Sequence, residues 1–321
     1  MQILITGGAG FLGSNMVKYL LEMGHTVTAV DNLVTGVAEN VALHLQNHNF
    51  EFVKMDMCDE NFVKTFSDTS KYKFDRIYDF ACPTGVPNIA PEKLGELMLD
   101  TCTIGVRNML LVARAHKATV FHASSAEVYG EPLVTPQSES YTGNVDSLGF
   151  RAPYEEGKRV AESYIRLYAQ KYGINAKIIR FFNAYGPNYS IVDLRIIGKF
   201  ITQALRGEPL TMHGDGSQNR TFCYVDDSIR GLELVMEKGV SGEAYNIGGV
   251  TTTTVREFAD LVLELTGSKS PIQSTERPSH DHSGRTPDLS KITALGWKQE
   301  VSLKDGLALT IADFKRRLGQ K

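Results

Sequence analysis

Apolar runs of strand length alternate with amphipathic stretches through the first half of the chain. Ile3-Leu4-Ile5 opens the pattern. Apolar positions at helical spacing follow (Met16, Tyr19, Leu20, Met23), then Gly24, then a second run from Val27 to Val30 that ends at Asp31. Phe50 to Met55 reads as a third strand, Asp75 to Ala81 as a fourth, Ala118 to Ser124 as a fifth and Lys177 to Phe182 as a sixth. Between them, helical spacing marks 59–69, 93–116 and 155–172. Alternation of this kind predicts an α/β fold: a Rossmann-type, doubly wound parallel sheet with helices on both faces. Ligands of such sheets sit beyond the carboxyl ends of the strands.

The pattern changes after residue 182. Asn183-Ala184-Tyr185-Gly186-Pro187 breaks the order, and a helix is expected from Arg195 to Arg206. A short strand at Leu210-Thr211-Met212 and a turn at Gly214-Asp215-Gly216 come next. Gly239 to Glu243 reads as loop and Ala244 to Ile247 as strand. Thr254-Val255-Arg256-Glu257 has the form of a capping box before a helix from Phe258 to Leu265. Residues 269–288, polar and containing Pro271, Pro278 and Pro287, read as a long loop, and Leu303 to Arg317 as the last helix. The expected organisation is a dinucleotide-binding domain over 1–182, with 220–246 returning to it, and a smaller α/β substrate-binding domain over 183–219 and 247–321.

Composition narrows the class. A chain of 321 residues with 42% hydrophobic and 22% charged residues can bury a large core. The net charge of −3, without a basic block, points away from nucleic acid. No apolar stretch reaches the ~18 residues of a membrane span. Met1 directly precedes the first strand, leaving no room for a signal peptide, so a cytoplasmic protein is expected. Cys58, Cys82, Cys102 and Cys223 lack metal-ligand spacing and read as reduced thiols. His280 and His282 flank Asp281 in a solvated loop, and no metal is expected.

The first candidate chemistry lies between the first two strands, in Gly7-Gly8-Ala9-Gly10-Phe11-Leu12-Gly13. Gly7 permits a tight turn, Gly10 lets backbone N–H groups approach a pyrophosphate, and Gly13 lets the helix pack close to the strand. The helix N-terminus then faces the phosphates with the positive end of its dipole. Asp31, at the end of the second strand, would accept the adenosine ribose hydroxyls and repel a 2′-phosphate, which favours NAD over NADP.

The second lies at the end of the fifth strand and on the helix beyond it. Tyr154 and Lys158 are four residues apart and share a helix face. The ammonium would stabilise a phenolate and draw the Tyr154 pKa down from ~10, making it a general base. Ser125 could hold a substrate hydroxyl for proton removal while a hydride passes to a nicotinamide. These residues resemble the extended short-chain dehydrogenase/reductase superfamily of nucleotide-sugar epimerases, dehydratases and decarboxylases. Also carrying the resemblance are the run from Arg180 to Pro187, the run from Gly214 to Asp227, Arg285-Thr286-Pro287-Asp288 and Leu295-Gly296-Trp297. It implies an NAD enzyme acting on a nucleotide-diphosphate sugar, a UDP-sugar favoured. The cofactor set it implies is Gly7, Gly10, Phe11, Leu12, Gly13, Asp31, Asn32, Asp56, Met57, Ala81, Tyr154 and Lys158. In the superfamily, residues matching Asn183, Arg220 and Arg285 contact the nucleotide diphosphate; arginine meets phosphate oxygens bidentately.

Within the superfamily the chain is most similar to the UDP-glucuronate decarboxylases. Ala81-Cys82-Pro83 with Pro87-Asn88, Thr103-Ile104-Gly105, Glu127 to Pro132, Pro136 to Glu139, Arg151 to Arg159 and Asp193-x-Arg195 carry that similarity. The likeness implies oxidation at C4, loss of the C6 carboxylate from the β-keto acid, and reduction at C4. Tyr154 is then the base, Lys158 tunes it, Ser125 orients O4 and Glu127 lies near C5 and C6. Pro83, Glu127, Arg151, Asn183, Arg195, Met212, Arg220 and Arg285 form the substrate set. Arg285 holds a phosphate or assists decarboxylation, and Arg151 reads either as a ligand of a substrate carboxylate or as a loop arginine. Four positions depart from the family pattern: Ala126, where a serine is usual; Ile89, where a tyrosine is; Cys102, where an asparagine is; and Pro153, where a cysteine is. Ala126 weighs against a 4,6-dehydratase, which needs an acid–base pair there. A 4-epimerase or a C4 dehydrogenase remains an alternative, and a non-catalytic NAD-binding module a remote one. Helices 93–116 and 155–172 carry apolar residues beyond one face, and the resemblance implies a homodimer through a four-helix bundle.

Overall fold

A computed structural model describes residues 1–84, 91–276 and 284–320. The strands are β1 (Gln2–Thr6), β2 (Thr26–Asp31), β3 (Phe50–Lys54), β4 (Phe74–Asp79), β5 (Thr119–Ser125), β6 (Ala176–Phe181), β7 (Asn183–Tyr185), β8 (Leu210–His213), β9 (Asn219–Tyr224), β10 (Ala244–Ile247), β11 (Thr252–Thr254) and β12 (Ile272–Thr275). The helices are α1 (Phe11–Glu22), α2 (Glu39–Ala42), α3 (Glu60–Phe66), α4 (Glu96–Asp100), α5 (Val106–His116), α6 (Ala152–Tyr172), α7 (Ile196–Arg206), α8 (Val225–Lys238), α9 (Val255–Thr266), α10 (Ser290–Ala294) and α11 (Leu303–Arg317).

Seven strands form one parallel sheet in the order β10-β6-β5-β4-β1-β2-β3. This is the doubly wound Rossmann arrangement expected from the strand–helix alternation. The pleat divides β1 between two apolar layers. Ile3 and Ile5 share a buried cluster with Met16 and Leu20 of α1 and Leu232 and Val235 of α8, whereas Leu4 belongs with Met109 and Leu110 of α5 and Ile165 of α6. Burial on both faces explains why the central strands read as continuous apolar runs. The smaller C-terminal part contains a three-stranded sheet, β11-β9-β7, and a pair, β12-β8. Within 220–246, β9 lies in the three-stranded sheet, while β10 joins the large sheet beside β6.

Three stretches differ from the sequence reading. Ile272–Thr275, read as loop, is a strand paired in parallel with β8. It carries one large apolar residue, too few for a period, and its place comes from pairing: the Leu210 amide donates to Pro271 O at 2.9 Å. Asn183–Tyr185, read as a break, pairs with β9. The stretch 93–116 is not one regular helix; wide π turns at Pro91–Gly95 and Thr101–Gly105 alternate with α4 and α5. Such turns often mark functional sites. Pro87, Asn88, Ile89, Pro278, His280, Asp281 and His282 lie outside the described residues.

Among the described residues, no helix is long and apolar enough to cross a membrane. None of their His, Cys, Asp and Glu side chains form a group of three or more able to hold a metal.

Candidate active site

The first turn of the sheet is built around backbone approach. Gly7 has φ +72°, and a Cβ there would meet Ala81 N at 2.7 Å. A Cβ on Gly13 would collide with the Gly7 carbonyl, so only glycine lets α1 come this close to β1. At Gly10 the only neighbour of an added Cβ would be Gly7 O at 3.3 Å. Gly10 caps α1 without a side chain, and no acid stands in the first turn. That leaves the N-terminal amides and the positive end of the dipole free of a protein carboxylate.

A cleft opens in front of this turn, at the carboxyl ends of the strands. Gly7, Gly10, Asp31, Asn32, Asp56, Met57, Ala81 and Pro83 line it, together with Thr35, Gly36, Phe80 and Cys82, which the sequence reading had not singled out as site residues. Phe11 and Leu12 occupy the first turn of α1, where Phe11 packs edge-on against Tyr189 at 5.1 Å. Asp31 is pinned from both sides: its carboxylate accepts from Ala9 N at 3.0 Å and Leu33 N at 2.8 Å. Burial raises its pKa against these two bonds. Asn32 donates to Asp56 at 2.7 Å, and Asp56 accepts from Cys58 N at 2.8 Å. The glycine cradle, the uncapped helix and the fixed acid on the second strand fit an adenine dinucleotide.

The second half of the site joins β5 to α6. Ser125 ends β5 in an extended conformation and accepts from Glu127 N at 3.3 Å, starting a tight turn over Ala126–Tyr129. Pro153 enters the first turn of α6, where its missing N–H does no harm, and the helix carries Tyr154 and Lys158 inward. Lys158 is 3% exposed and donates to Ala123 O at 2.7 Å. Burial opposes its charge, but Cys82, Cys102, Tyr154 and Asp79 outweigh burial and hold it protonated. Burial pushes the Tyr154 phenol up to about 12, with Lys158 and a hydrogen bond to Ser125 pulling down against Cys82 and Glu127. Ser125, Tyr154 and Lys158 therefore stand together.

Beside them is a four-membered charge cluster. Glu127 pairs with Arg151, whose Nη2 is in short contact and whose Nε lies at 3.2 Å, and with Arg285 at 2.5 Å. Glu155, 3% exposed, accepts from Arg151 Nε at 3.2 Å and lies 3.8 Å from Arg285. Arg285 also donates to Gly130 O at 3.0 Å. Burial opposes the Glu127 charge, but the two guanidinium groups hold its carboxyl far below the usual range. Arg151 is thus a half-buried member of the cluster rather than an exposed loop side chain. Sequence reading missed Glu155. The signal was available, since Arg151 and Glu155 are four apart at the start of a helix.

The remaining substrate residues are spread along the smaller sheets. Arg195 is clamped by Asp193 at 2.6 Å, lies over the Tyr189 ring at 5.2 Å and is close enough to Tyr154 to feel its charge. Asn183 donates to Thr221 O at 3.0 Å, Arg220 to Asn219 O at 2.9 Å, and Met212 is buried in β8 against Gly216.

A doubly wound sheet with this glycine turn and a Tyr-x-x-x-Lys helix defines a nucleotide-dependent oxidoreductive class. Residues 3–248 match the model of the NAD dependent epimerase/dehydratase family, and the chain belongs to that family. UDP-glucuronic acid decarboxylase 6 of Arabidopsis thaliana is 41% identical over 323 residues, covering 99% of this chain and 90% of the relative. A UDP-glucose 4-epimerase of Thermotoga maritima, solved with UDP-glucose, superposes with a TM-score of 0.89 at 31% identity, over 99% of this chain and 100% of that one. A dTDP-glucose 4,6-dehydratase of Streptomyces venezuelae, solved with NAD, gives 0.88 at 29% identity, over 99% and 98% of the two chains. The cofactor of this chain is NAD.

Proposed function

We propose that this chain decarboxylates a UDP-hexuronate, UDP-glucuronate in the first instance, by transient oxidation at C4. The observation that carries this reading is the cluster Glu127–Arg151–Glu155–Arg285 beside Ser125, Tyr154 and Lys158. The likeness to the Arabidopsis decarboxylase supports it. NAD, when bound, accepts the C4 hydride and returns it later. Ser125 and Tyr154 hold the sugar O4, and Tyr154 takes its proton while the Lys158 ammonium lowers the free energy of the phenolate. With a ketone at C4 the C6 carboxylate belongs to a β-keto acid. Its C5–C6 bond breaks, the electron pair moves to the C4 oxygen, and CO2 leaves. The hydroxyls of Tyr154 and Ser125 stand where that oxygen gathers charge. C5 then takes a proton, giving the pentose.

Arg151 and Arg285 are the cations available to the sugar carboxylate. Each is already shared with Glu127 and Glu155, so the carboxylate meets a cluster of no net charge. A loosely held carboxylate raises the ground state relative to the transition state, in which its charge disperses.

Gly7, Gly10, Phe11, Leu12, Gly13, Asp31, Asn32, Asp56, Met57 and Ala81 are the proposed NAD contacts. Pro83, Asn183, Arg195, Met212 and Arg220, with Arg285, are the proposed nucleotide-sugar contacts. The proposed division is 1–182 with 220–246 for NAD, and 183–219 with 247–321 for the nucleotide sugar. We also propose a homodimer joined through α4, α5 and α6 with the π turn between α4 and α5, whose outer faces expose Leu99 on α4, Ile104 on that turn, and Val160 and Leu167 on α6. Four free thiols suit the reducing cytoplasm, where this reading places the enzyme.

The test is a proton NMR time course of the chain with NAD and UDP-glucuronate. A UDP-pentose appearing without net NADH is the expected result. Inversion at C4 alone, or an untouched sugar, overturns it.

A further inference from the structure

Two thiols outside the mechanism face one another at the edge of the site. The Sγ atoms of Cys82 and Cys102 are 3.8 Å apart. Cys82 follows β4 and lines the cavity beside Pro83, so a small solute can reach it. Cys102 is 1% exposed and stands in the π turn Thr101–Gly105, behind the cavity wall. It also packs against α6: a Cβ built on Gly157 would meet Cys102 Sγ at 3.3 Å, one residue before Lys158.

The surroundings divide the labour. The hydrogen bond from Cys102, joined by the Lys158 ammonium, draws the Cys82 thiol down against burial, and the same bond together with burial pushes Cys102 up. Cys82, which lines the cavity, is therefore placed as the attacking thiol, and Cys102, buried 3.8 Å behind it, as the resolving one. The other two cysteines contrast with Cys82: burial pushes Cys58 and Cys223 up to about 12.

We propose that Cys82 and Cys102 form a modification site, an oxidisable thiol pair that a hydroperoxide closes to a disulfide next to Tyr154 and Lys158. The Cys82 thiolate attacks one peroxide oxygen and the O–O bond breaks. A sulfenic acid forms, and the released hydroxide takes up the proton that Cys82 gave up, leaving as water. Cys102 sulfur then displaces the sulfenic oxygen as a second water, and the S–S bond forms. The peroxide gains the two electrons that the thiols lose. A disulfide requires about 2.05 Å between the sulfurs, so closure pulls the π turn and the Cys82–Pro83 wall together from their 3.8 Å spacing. Gly157 has no side chain to cushion that movement before it reaches Lys158 and Tyr154.

The experiment treats the chain, with and without added NAD, with hydrogen peroxide, alkylates the remaining thiols and maps the peptides. The expected product is a Cys82–Cys102 cross-link, with Cys58 and Cys223 alkylated. Turnover should fall by about 10²-fold, the scale of a 1 Å misplacement beside reacting groups, and return with dithiothreitol. Cys102→Ala, or Cys102→Ser if the first folds poorly, should lose the dithiothreitol-reversible component, read as each variant's turnover after peroxide and after dithiothreitol relative to its own untreated turnover. A Cys82 that passes to sulfinic acid without a cross-link, a pair that stays reduced while Cys58 or Cys223 reacts, or a cross-linked enzyme of full activity overturns the proposal. The mapping needs no turnover, so it separates this inference from the decarboxylase reading.

Discussion

At the scale of single residues, the site works by opposing burial with charge. Tyr154 is the sharpest case: burial alone would put its phenolate out of reach, and Lys158 is the cation pulling it back. Lys158→Met should therefore lower turnover by about 10²-fold or more at neutral pH. The phenol then loses its proton only at higher pH, so the rate profile should move toward alkali. A pH–rate series on the variant checks this, and an unshifted profile would mean that Lys158 does not tune Tyr154. Tyr154→Phe should remove turnover over the whole range while NAD still binds in a fluorescence titration, because the cradle at Gly7, Gly10 and Gly13 is untouched.

Glu127 makes the opposite case. Its carboxyl is held below the ordinary 4.5 by Arg285 and Arg151 against burial. The folded chain thus binds fewer protons there than the unfolded chain. The stability this supplies is complete above the ordinary carboxylate value and fades as pH falls through the depressed one. Glu127→Gln leaves the two guanidinium groups with Glu155 alone. It should cost about 3 kcal/mol at pH 7, and the variant should lose less than the parent chain on acidification. Urea unfolding at pH 7 and pH 4 tests both statements.

At the scale of elements, what could be read from the sequence followed what each element's own residues specify. β1 and β2 are buried on both faces, so their apolar runs are nearly uninterrupted, and the glycines between them have a local geometric cause. That stretch was legible. Asp227, readable from the sequence as structural, shows what was not: its partners. It is fully buried in α8, and its carboxylate accepts from the backbone of Glu300 and Val301 at 2.9 and 3.0 Å, while Trp297 donates to its carbonyl at 3.0 Å. Such partners lie 70 or more residues away, and no local pattern announces them. β12 escaped notice for a similar reason, since its register with β8 is a tertiary fact. In the site itself, Tyr154 and Lys158 shared a helix face by spacing alone, whereas the bridge from α6 to Arg285 depends on a loop returning from the far end of the chain. The close approach of α1 to the turn after β1 gives a clean test. Gly13→Ala places a methyl against the Gly7 carbonyl, forcing α1 off β1. The strain should cost about 1–3 kcal/mol, and NAD affinity should fall with it because the N-terminal turn of α1 tilts away from the phosphates. Paired thermal melts and NAD titrations would show the two losses together; a loss of stability with unchanged NAD affinity would separate α1 packing from cofactor binding.

At the scale of the whole molecule, the same helices that carry the catalytic residues present apolar side chains outward. Leu99 is 40% exposed, Ile104 44% and Leu167 50%, on α4, the following π turn and α6. Isolated exposed leucines are ordinary on a protein surface, but these lie on segments that pack directly against one another, α4 against α6 and α5 against α6. Two such helical layers meeting across a two-fold axis would bury them in a bundle, with each face serving both copies. The position of this surface has a mechanical consequence. The inner side of α6 holds Tyr154 and Lys158, and the inner side of the π turn holds Cys102, so a partner pressing on the outer side stiffens the backbone behind the reacting groups. Ile104→Asp places a charge on this surface and should convert the proposed dimer to a monomer in sedimentation velocity. Because the fold's two apolar layers lie elsewhere, the monomer should keep its circular dichroism spectrum. Turnover should fall by about tenfold through loss of preorganisation along α6, and NAD affinity, anchored by the glycine turn at Gly7, Gly10 and Gly13, should fall less. An Ile104→Asp chain that sediments as the parent does would place the subunit contact on another face.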